Sequence, residues 1–331
     1  MISIAFDLLG GDKAPEETVR GLVLAMEARS DFVTYAVATK EVFDKYDKIL
    51  SPFITSGRVE EVCCDSTFEM DDEPVKAWMN KKGSSLHKLV DLVNDDLACG
   101  CISLGSTGGC LVAGTLGVGR LKGIERPAIG VLLPSKQGGF LLIDAGANVD
   151  VKPKNILDFA RMGSVYMKFL GFENPSVGLF NVGEEKGKGD RLRQESYELL
   201  SKSDLNFTGN MEGKDAFFGK CSVLVCDGFI GNIFLKTTEG VSDYVRYEMR
   251  DAIRQSFMTR LGGMLLYPAL ARLIKRVDYS NYGAAPLLGV KKVFLIGHGR
   301  SGRVAAKNAI LQTVKLCSTN LIEKVKIIGE S

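Results

Sequence analysis

The sequence predicts an α/β protein, an α/β/α sandwich in which helices cover both faces of a largely parallel sheet. Short apolar segments alternate with segments of helical periodicity along most of the 331 residues. The apolar segments are hydrophobic on both faces, as is typical of strands in a buried parallel sheet. No sequence repeat and no low-complexity linker divides the chain, which favours a single interwound unit over residues 1–331.

The first strand is predicted at Ile2 to Phe6, and a helix with apolar residues at helical spacing follows from Pro15 to Ala28. Further strands are predicted at Phe32 to Ala38, Val59 to Cys63, Cys101 to Leu104, Ala128 to Leu133, Phe140 to Ile143, Val177 to Asn181, Val223 to Cys226 and Val293 to Ile296. Further helices are predicted at Ser84 to Leu97, Ile156 to Leu170, Leu192 to Leu200 and Val304 to Glu323.

Composition narrows the class of protein. The chain has 42 basic and 40 acidic side chains, a net charge of +2, which argues against a general nucleic-acid-binding surface. No CxxC motif occurs among the eight cysteines, and there are only two histidines, so we expect no metal site and interpret the cysteines as small core residues. The first apolar run ends at Asp7 without a secretory signal, which predicts a cytoplasmic protein.

Glycine-rich polar turns follow six of the predicted strands. In parallel sheets, ligands bind at the carboxyl ends of the strands, so we expect all six turns at one edge. The turns are Asp7 to Asp12, Gly105 to Gly109, Asp144 to Asn148, Asn181 to Gly189, Asp227 to Asn232 and Gly297 to Gly302.

Two of these turns carry groups suited to anions. The hydroxyls of Ser106 and Thr107 at a helix start suit a phosphate or an oxyanion, and an ordinary N-cap is the alternative. The turn at Gly297 to Gly302 matches G-x-G-x-x-G, but no acidic residue ends a following strand, so it does not predict a dinucleotide site. Its His298 is a candidate for acid–base chemistry or for a structural hydrogen bond.

Lys186 and Lys188 lie among glycines beside Glu184 and Glu185. They pair with these carboxylates, face an anionic ligand, or form part of a solvated charge run. The chain contains no G-x-S-x-G, no P-loop and no H-E-x-x-H motif, so hydrolase, NTPase and zincin functions lose their usual support.

A basic segment lies near the C-terminal third, within a predicted helical region at 240–282. Seven basic and two acidic residues lie between Arg246 and Arg276, and they flank the uncharged stretch Leu261 to Ala271. An apolar tip flanked by arginines suits an anionic membrane surface or an acidic partner, and a buried helical hairpin or a dimer contact is the alternative. The residues expected to make this contact are Arg246, Arg250, Arg254, Arg260, Leu265, Leu266, Arg272 and Lys275.

Taken in order, these motifs resemble the PlsX family of phosphate acyltransferases over nearly the whole chain. The resemblance departs from the usual family pattern at Leu8, Leu9, Lys13, Ser106 and Arg300. Besides the turns above, it rests on Arg126-Pro127-Ala128, Met162-Gly163-Ser164, Asp204 to Phe207, Gly209 to Gly213, Asp278-Tyr279-Ser280, Gly283 to Gly289 and His298-Gly299.

The resemblance implies a fold like that of isocitrate and isopropylmalate dehydrogenases, a homodimer, and transfer of a long acyl group from acyl carrier protein to inorganic phosphate. The acyl phosphate would then pass to a membrane acyltransferase that acylates glycerol 3-phosphate for phospholipid synthesis. We expect a cytoplasmic, peripherally membrane-associated enzyme without a cofactor.

Phosphate is already an anionic nucleophile and a thiolate is a tolerable leaving group, so positioning and charge stabilisation suffice for the chemistry. We expect phosphate and the thioester oxyanion to be held by the catalytic residues Ser106, Thr107, Lys188, Asn232 and His298. The residues expected to line the substrate cleft are Asp7, Gly10, Gly11, Asp12, Gly108, Asp144, Asn148, Asn181, Gly183, Glu184, Asn210, Asp227 and Gly228.

Three other functions compete with this one. A CoA-dependent phosphate acetyl- or butyryltransferase shares the acyl-to-phosphate chemistry and differs in its donor. An NAD-dependent decarboxylating dehydrogenase shares the fold, but the sequence has no convincing cofactor fingerprint or metal-carboxylate triad. A non-catalytic membrane scaffold would retain the basic segment and show no turnover.

Overall fold

Strands from both halves of the chain join in one eleven-stranded sheet, within residues 1–69, 71–277 and 284–330, which the computed structural model describes. Along the sheet the strand order is β3-β2-β1-β4-β11-β10-β5-β6-β9-β7-β8. The strands are β1 Ile2–Asp7, β2 Phe32–Ala38, β3 Val59–Cys63, β4 Gly100–Ser103, β5 Ala128–Leu133, β6 Phe140–Ile143, β7 Val177–Phe180, β8 Phe207–Met211, β9 Val223–Val225, β10 Ala285–Leu288 and β11 Val293–Ile296.

Helices occupy most of the connections between strands. A six-residue π-helix, Ala113–Val118, directly continues α5. The α-helices are α1 Glu16–Ala28, α2 Lys40–Thr55, α3 Pro74–Asn80, α4 Ser85–Asn94, α5 Thr107–Val112, α6 Pro153–Phe169, α7 Arg191–Ser201, α8 Gly213–Phe217, α9 Gly228–Arg254, α10 Phe257–Val277, α11 Arg303–Cys317 and α12 Leu321–Glu330.

Both faces of the sheet are covered, as predicted. Successive residues of β1 point to opposite faces, and Ala5 and Phe6 join two different hydrophobic clusters. Phe6 packs in the cluster that contains Phe159 of α6, whereas Ala5 packs in the one that contains Phe294 of β11. The α/β/α sandwich inferred from the doubly apolar strands is therefore confirmed.

The sequence-based element boundaries hold for most strands and fail at three places. β8 and β10 were not predicted, because β8 contains Gly209 and Asn210 and β10 contains Pro286, residues that are depleted in strands. The single helix predicted over Val304 to Glu323 is wrong, since the chain leaves the helix after Cys317. The hydroxyl groups of Ser318 and Thr319 bond to carbonyl groups of the last helical turn there.

The expectation that all six turns lie at one edge is also wrong. β1, β2, β3, β4 and β11 run parallel to one another. Three antiparallel pairings, β11 with β10, β10 with β5 and β5 with β6, reverse the direction, so β6, β9, β7 and β8 run the opposite way. The turns after β1, β4 and β11 therefore lie at one edge, and those after β6, β7 and β9 at the other. The strand β10, which the sequence did not reveal, is needed for this reversal.

The cysteine interpretation is only partly correct. Cys64, Cys101, Cys110, Cys221 and Cys226 are buried core residues, and burial raises the pKa of each of their thiols. Two further cysteines are exposed, namely Cys63 and Cys99.

Candidate functional site

The first group of turns is built around the carboxyl group of Asp7, at the end of β1. Asp7 is buried, its Oδ2 accepts a hydrogen bond from Ser103 Oγ at 2.7 Å, and its Oδ1 accepts one from Leu9 N at 3.0 Å. Burial raises the pKa of Asp7 above its ordinary value, although these hydrogen bonds oppose the shift. The Asp7 carboxyl group therefore joins the turn that follows β1 to the end of β4.

Close backbone contacts hold the turns after β1, β4 and β11 together. A Cβ atom on Gly10 would lie 2.6 Å from Ser103 Oγ and 2.8 Å from Gly105 N, so only glycine fits there. The amide of Asp12 donates to Gly299 O at 2.8 Å. Asp12 and the residues flanking His298 are thus neighbours at the first edge, as the sequence predicted for these two turns.

The turn Gly105 to Gly109 leads into α5. Ser106 is the N-cap residue of α5, and its Oγ accepts a hydrogen bond from Gly109 N at 3.4 Å. The N-cap interpretation therefore holds for Ser106. Thr107 is exposed, while Pro74 lies against Gly108.

The second group of turns, at the opposite edge, is organised by Asp144 after β6. Its Oδ1 accepts hydrogen bonds from the backbone amides of Ile129, Gly146 and Ala147 at 3.0 to 3.1 Å. Its Oδ2 accepts from Asn148 N at 2.7 Å and from Asn148 Nδ2 at 2.8 Å. Burial raises the pKa of Asp144, and the five hydrogen bonds oppose that shift. Both oxygens are engaged, so Asp144 positions the turn.

Helix α9 begins against this turn. Asp227 caps the helix by accepting from Ile230 N at 3.0 Å, and its other oxygen forms an ion pair with Arg193 of α7. A Cβ atom on Gly231 would lie 1.9 Å from Asp144 O, so α9 approaches the turn too closely for any side chain there. Arg193, which sequence reasoning missed, joins the turns after β7 and β9.

Two side-chain amides donate hydrogen bonds to backbone carbonyl groups of the turn Asn181 to Gly189. Asn181 Nδ2 donates to Lys188 O at 3.0 Å, and the buried Asn210 donates through Nδ2 to Glu185 O at 2.8 Å. Lys188 is exposed at the outer side of the turn. Among the residues described, no ion pair or hydrogen bond involves its ammonium group.

The other charges of this turn pair differently from either sequence alternative. Lys186 forms an ion pair with Glu198 of α7 at 2.9 Å, and Glu184 pairs with Lys220 at 2.8 Å. These partners come from α7 and from the chain before β9, so the sequence neighbours of the two lysines gave no signal of them. Lys186 is therefore paired, whereas Lys188 is exposed and has no ion-pair partner among the described residues.

One face of α9 connects the two groups of turns. Asn232 lies 3.5 Å from the position of a Cβ atom on Gly146, at the second group. One turn further along α9, Lys236 Nζ lies 3.3 Å from His298 Nε2, at the first group, and 2.8 Å from Glu239 Oε2. Positions 232, 236 and 239 share a helix face. Lys236 and Glu239 were missed, although their spacing from Asn232 is a signal that the sequence contains.

The predicted site residues therefore form two clusters that α9 links. His298 approaches the face of α9 that carries Asn232, and among the described contacts none joins Lys188 to the Ser106 turn. The first cluster contains Asp7, Gly10, Gly11, Asp12, Ser106, Thr107, Gly108 and His298. The second cluster contains Asp144, Asn148, Asn181, Gly183, Glu184, Lys188, Asn210, Asp227, Gly228 and Asn232.

The basic segment forms a helical hairpin, but the predicted apolar tip is misplaced. α9 and α10 meet at Gln255 and Ser256, so the hairpin turn is followed by the exposed Phe257 and Met258. The stretch Leu261 to Ala271 lies inside α10, where Gly263 lets this helix approach Ile253 of α9 closely.

The side chains of the basic segment that the structure describes remain accessible. Leu265 and Leu266 are exposed, and Arg246 forms an ion pair with Asp243 at 3.8 Å. Four arginines of the segment are exposed, namely Arg250, Arg254, Arg260 and Arg272. The side chain of Lys275, and the motif residues Asp278 to Ser280 and Gly283, lie outside the described residues.

Two classes of feature are not found in the described part of the chain. None of its helices combines the length and the apolar character needed to cross a bilayer. No group of three or more His, Cys, Asp or Glu side chains there is arranged to hold a metal ion.

Fold and sequence both resemble those of proteins that act on phosphate compounds. The fold is similar to a phosphotransacetylase from Streptococcus pyogenes, with a TM-score of 0.61 and 15% identity over 96% of this chain and 94% of the other. It is also similar to a structure from Salmonella typhimurium described as a 4-hydroxythreonine-4-phosphate dehydrogenase, with a TM-score of 0.51 and 10% identity over 96% and 99% of the two chains. The chain therefore has the α/β/α fold that phosphotransacylases and such dehydrogenases share.

Sequence comparison is more specific. The family model described as "Fatty acid synthesis protein" matches residues 2–324. A protein from Halothermothrix orenii named phosphate acyltransferase is 42% identical over 327 residues, which cover 98% of this chain and 97% of the relative. This chain belongs to the fatty acid synthesis protein family, the PlsX family of phosphate acyltransferase enzymes.

Proposed function

We propose that this enzyme transfers a long-chain fatty acyl group from acyl carrier protein to inorganic phosphate, and that the acyl phosphate serves glycerol 3-phosphate acylation in phospholipid synthesis. In this reaction a phosphate oxygen attacks the thioester carbonyl carbon and the C–S bond breaks. The proton of hydrogen phosphate ends on the carrier thiol, so the products are acyl phosphate and free carrier.

The observation that carries the proposal is the convergence of the polar groups of Asn232, Lys236 and His298 on one face of α9. In the described residues His298 contacts Lys236, Glu239 and the amide of Arg300, and none of these is a nucleophile for acyl transfer. The Ser84–His87 pair, 2.8 Å between Oγ and Nδ1, has a completely buried serine that no thioester can reach. Direct attack by phosphate requires only positioned donors and cations.

The surroundings of the second cluster favour a long acyl group over an acetyl group. Val149, Phe229 and Ile233 are large apolar side chains that remain at least half exposed. Val149 directly follows Asn148, whose carbonyl accepts a hydrogen bond from Gly228 N at 2.7 Å, and Phe229 and Ile233 lie one turn apart on α9. This apolar rim beside Asn232 gains favourable burial when an alkyl chain covers it.

Carrier protein is the proposed donor because the hairpin of α9 and α10 carries exposed arginines that complement an acidic surface. The same hairpin, with the exposed Leu265 and Leu266, supports membrane contact and a homodimer as further parts of the proposal.

The first experiment incubates purified protein with phosphate and either acyl carrier protein loaded with a long acyl group or the matching acyl-CoA. Phosphate-dependent release of free thiol from the carrier, with formation of acyl phosphate, is expected. Release from acyl-CoA alone would instead identify a CoA-dependent phosphotransacylase, and absence of release from both donors would contradict the proposal.

Single alanine variants test the site. Lys188→Ala and His298→Ala are expected to lower turnover about tenfold or more, because each removes a polar group from the site. Lys186→Ala is the matched control, since Lys186 is already paired with Glu198, and it should keep turnover within about twofold. Unchanged turnover in both test variants, with unchanged melting temperatures, would remove Lys188 and His298 from the mechanism.

A further inference from the structure

Lys236 lies on the face of α9 that meets both groups of turns. It follows Asn232 by four residues on the same helix face, and Asn232 lies against the Gly146 turn. His298, from the opposite edge of the sheet, reaches the same helix within 3.3 Å of Lys236 Nζ. A charged group at this position contacts His298 of the first cluster and follows Asn232 of the second cluster by one helical turn.

The surroundings of Lys236 differ from those of an ordinary surface ion pair. Its partner Glu239 is only 13% exposed, whereas the lysine side chain is 55% exposed. Burial raises the pKa of Glu239, but hydrogen bonds from His298 and Lys236 outweigh it and the pKa lies below its ordinary value. Glu239 is therefore a largely covered carboxylate that anchors both Lys236 and His298.

The ammonium group of Lys236 has more hydrogen-bond donors than Glu239 and His298 can use. An ammonium group has three N–H donors, of which one bonds to Glu239 and one points toward His298 Nε2. His298 Nδ1 accepts a hydrogen bond from Arg300 N at 3.3 Å, and its Nε2 lies 3.3 Å from Lys236 Nζ and 3.6 Å from Glu239 Oε2. Even with Glu239 and His298 both engaged, one of the three ammonium donors is left for an anion.

We infer that Lys236 binds the inorganic phosphate that accepts the acyl group, beside Asn232, and that Glu239 is a positioning residue that fixes the lysine. This inference deepens the proposed function and rests on it for the identity of the reaction. Phosphate oxygens accept strong charge-assisted hydrogen bonds from ammonium groups, and an amide such as that of Asn232 adds a neutral donor. Glu239 is largely covered, whereas the Lys236 side chain is 55% exposed, so the ammonium group is accessible to phosphate from the solvent.

The direct test measures binding of inorganic phosphate to the full chain by isothermal titration calorimetry, without any acyl donor. Lys236→Gln is expected to raise the dissociation constant about tenfold or more, because a charge-assisted hydrogen bond is lost. Lys236→Arg should recover part of the affinity. Lys315→Gln, which removes the same charge from an exposed position on α11, is the control and should bind phosphate like the wild type.

Kinetics separate binding from positioning. Lys236→Gln should raise KM for phosphate about tenfold or more, and Glu239→Gln should raise it by a smaller factor, about threefold, because the lysine keeps its charge and loses its anchor. A merely structural role of Glu239 would instead lower the melting temperature and kcat without a selective rise in KM for phosphate. Lys236→Arg also serves as the test variant if Lys236→Gln fails to fold, because it keeps the charge and changes the geometry.

The outcomes distinguish this inference from the proposed function. Wild-type affinity for phosphate in Lys236→Gln would overturn the inference even if the wild-type enzyme transfers acyl groups. Absence of phosphate binding to the wild-type protein would overturn it as well. Weakened phosphate binding in Lys236→Gln, in an enzyme that releases thiol from no donor, would support the anion site and contradict the proposed reaction.

Discussion

At the scale of single residues, Glu17 of α1 and Arg303 of α11 join the two ends of the chain. Glu17 Oε2 accepts from Arg303 N at 2.7 Å and from Arg303 Nε at 3.0 Å. The hydrogen bond from the Arg303 side chain is the main cause that lowers the pKa of Glu17 from 4.5 to about 2. Because the pKa of Glu17 is lower in the folded protein, the ionised carboxylate stabilises the folded state at pH values above about 4.5. This contribution is lost as the pH falls from about 4.5 through about 2. Glu17→Gln should therefore cost about 1 kcal/mol at pH 7, and the difference from the wild type should vanish by about pH 2. Urea unfolding measured at a series of pH values gives this difference.

Glu16→Gln is the matched control, because Glu16 pairs with Arg20 on the exposed surface of the same helix turn. Its effect on the free energy of unfolding should stay within about 0.5 kcal/mol. A pH-independent difference for Glu17→Gln would show that Arg303 does not stabilise the ionised carboxylate.

At the scale of secondary-structure elements, the start of α9 depends on a charge supplied by α7. Asp227 and Arg193 are 6% and 12% exposed, and they form an ion pair. Arg193→Leu leaves Asp227 buried without its partner, so it should lower the free energy of unfolding by about 3 kcal/mol. Asp227→Asn should cost less, about 1 to 2 kcal/mol, since asparagine also caps helices and Arg193 retains Asp190 at 2.9 Å. Urea unfolding at pH 7 compares the two variants.

Asp190→Asn is the control for this element, because Asp190 is 61% exposed and its loss leaves the Arg193–Asp227 pair intact. Its effect should be below about 1 kcal/mol. Equal costs for Arg193→Leu and Asp190→Asn would contradict a stabilising role of the buried pair.

At the scale of the whole molecule, the hairpin of α9 and α10 presents arginines and large apolar side chains away from the sheet. α10 packs chiefly against α9, and Tyr244, Tyr247 and Phe257 are each more than 60% exposed. If the hairpin binds an acidic carrier protein, the double variant Arg250→Glu, Arg254→Glu should lower kcat/KM for acyl carrier about tenfold and weaken its salt dependence. The rate with an acyl-CoA donor should change little. Assays of released thiol at several salt concentrations measure kcat/KM for acyl carrier and the rate with acyl-CoA.

The control for the hairpin reverses two charges elsewhere, with Lys45→Glu and Lys48→Glu on the exposed side of α2. Co-sedimentation with vesicles of anionic phospholipid measures membrane binding in the same variants. A wild-type rate that does not depend on salt, together with vesicle binding that the hairpin variant retains, would contradict an electrostatic role of the hairpin.

The fold class follows from local patterns in the sequence, and the same patterns identify the turns that form the two clusters. Strands buried on both faces need an unbroken apolar run, so their pattern is local, and β2, β3, β5, β6 and β11 begin and end where predicted. The glycine turns are visible in the sequence because their glycines cluster within a few residues, although the atoms that exclude a side chain at Gly10 and Gly231 come from distant segments. The motifs that carry the family resemblance lie in these same turns, and the family is confirmed.

The arrangement of these elements and turns depends on contacts between distant parts of the chain. Pairing of β10 between β11 and β5 reverses the second half of the sheet, and strand pairing depends on residues far apart in the chain. The partners of Lys186 and of Asp227 come from α7, and Lys236 reaches His298 across 62 positions of sequence. Periodicity and turn chemistry report on neighbours within one element, whereas the contacts that assemble the site form between elements, so no local pattern encodes them.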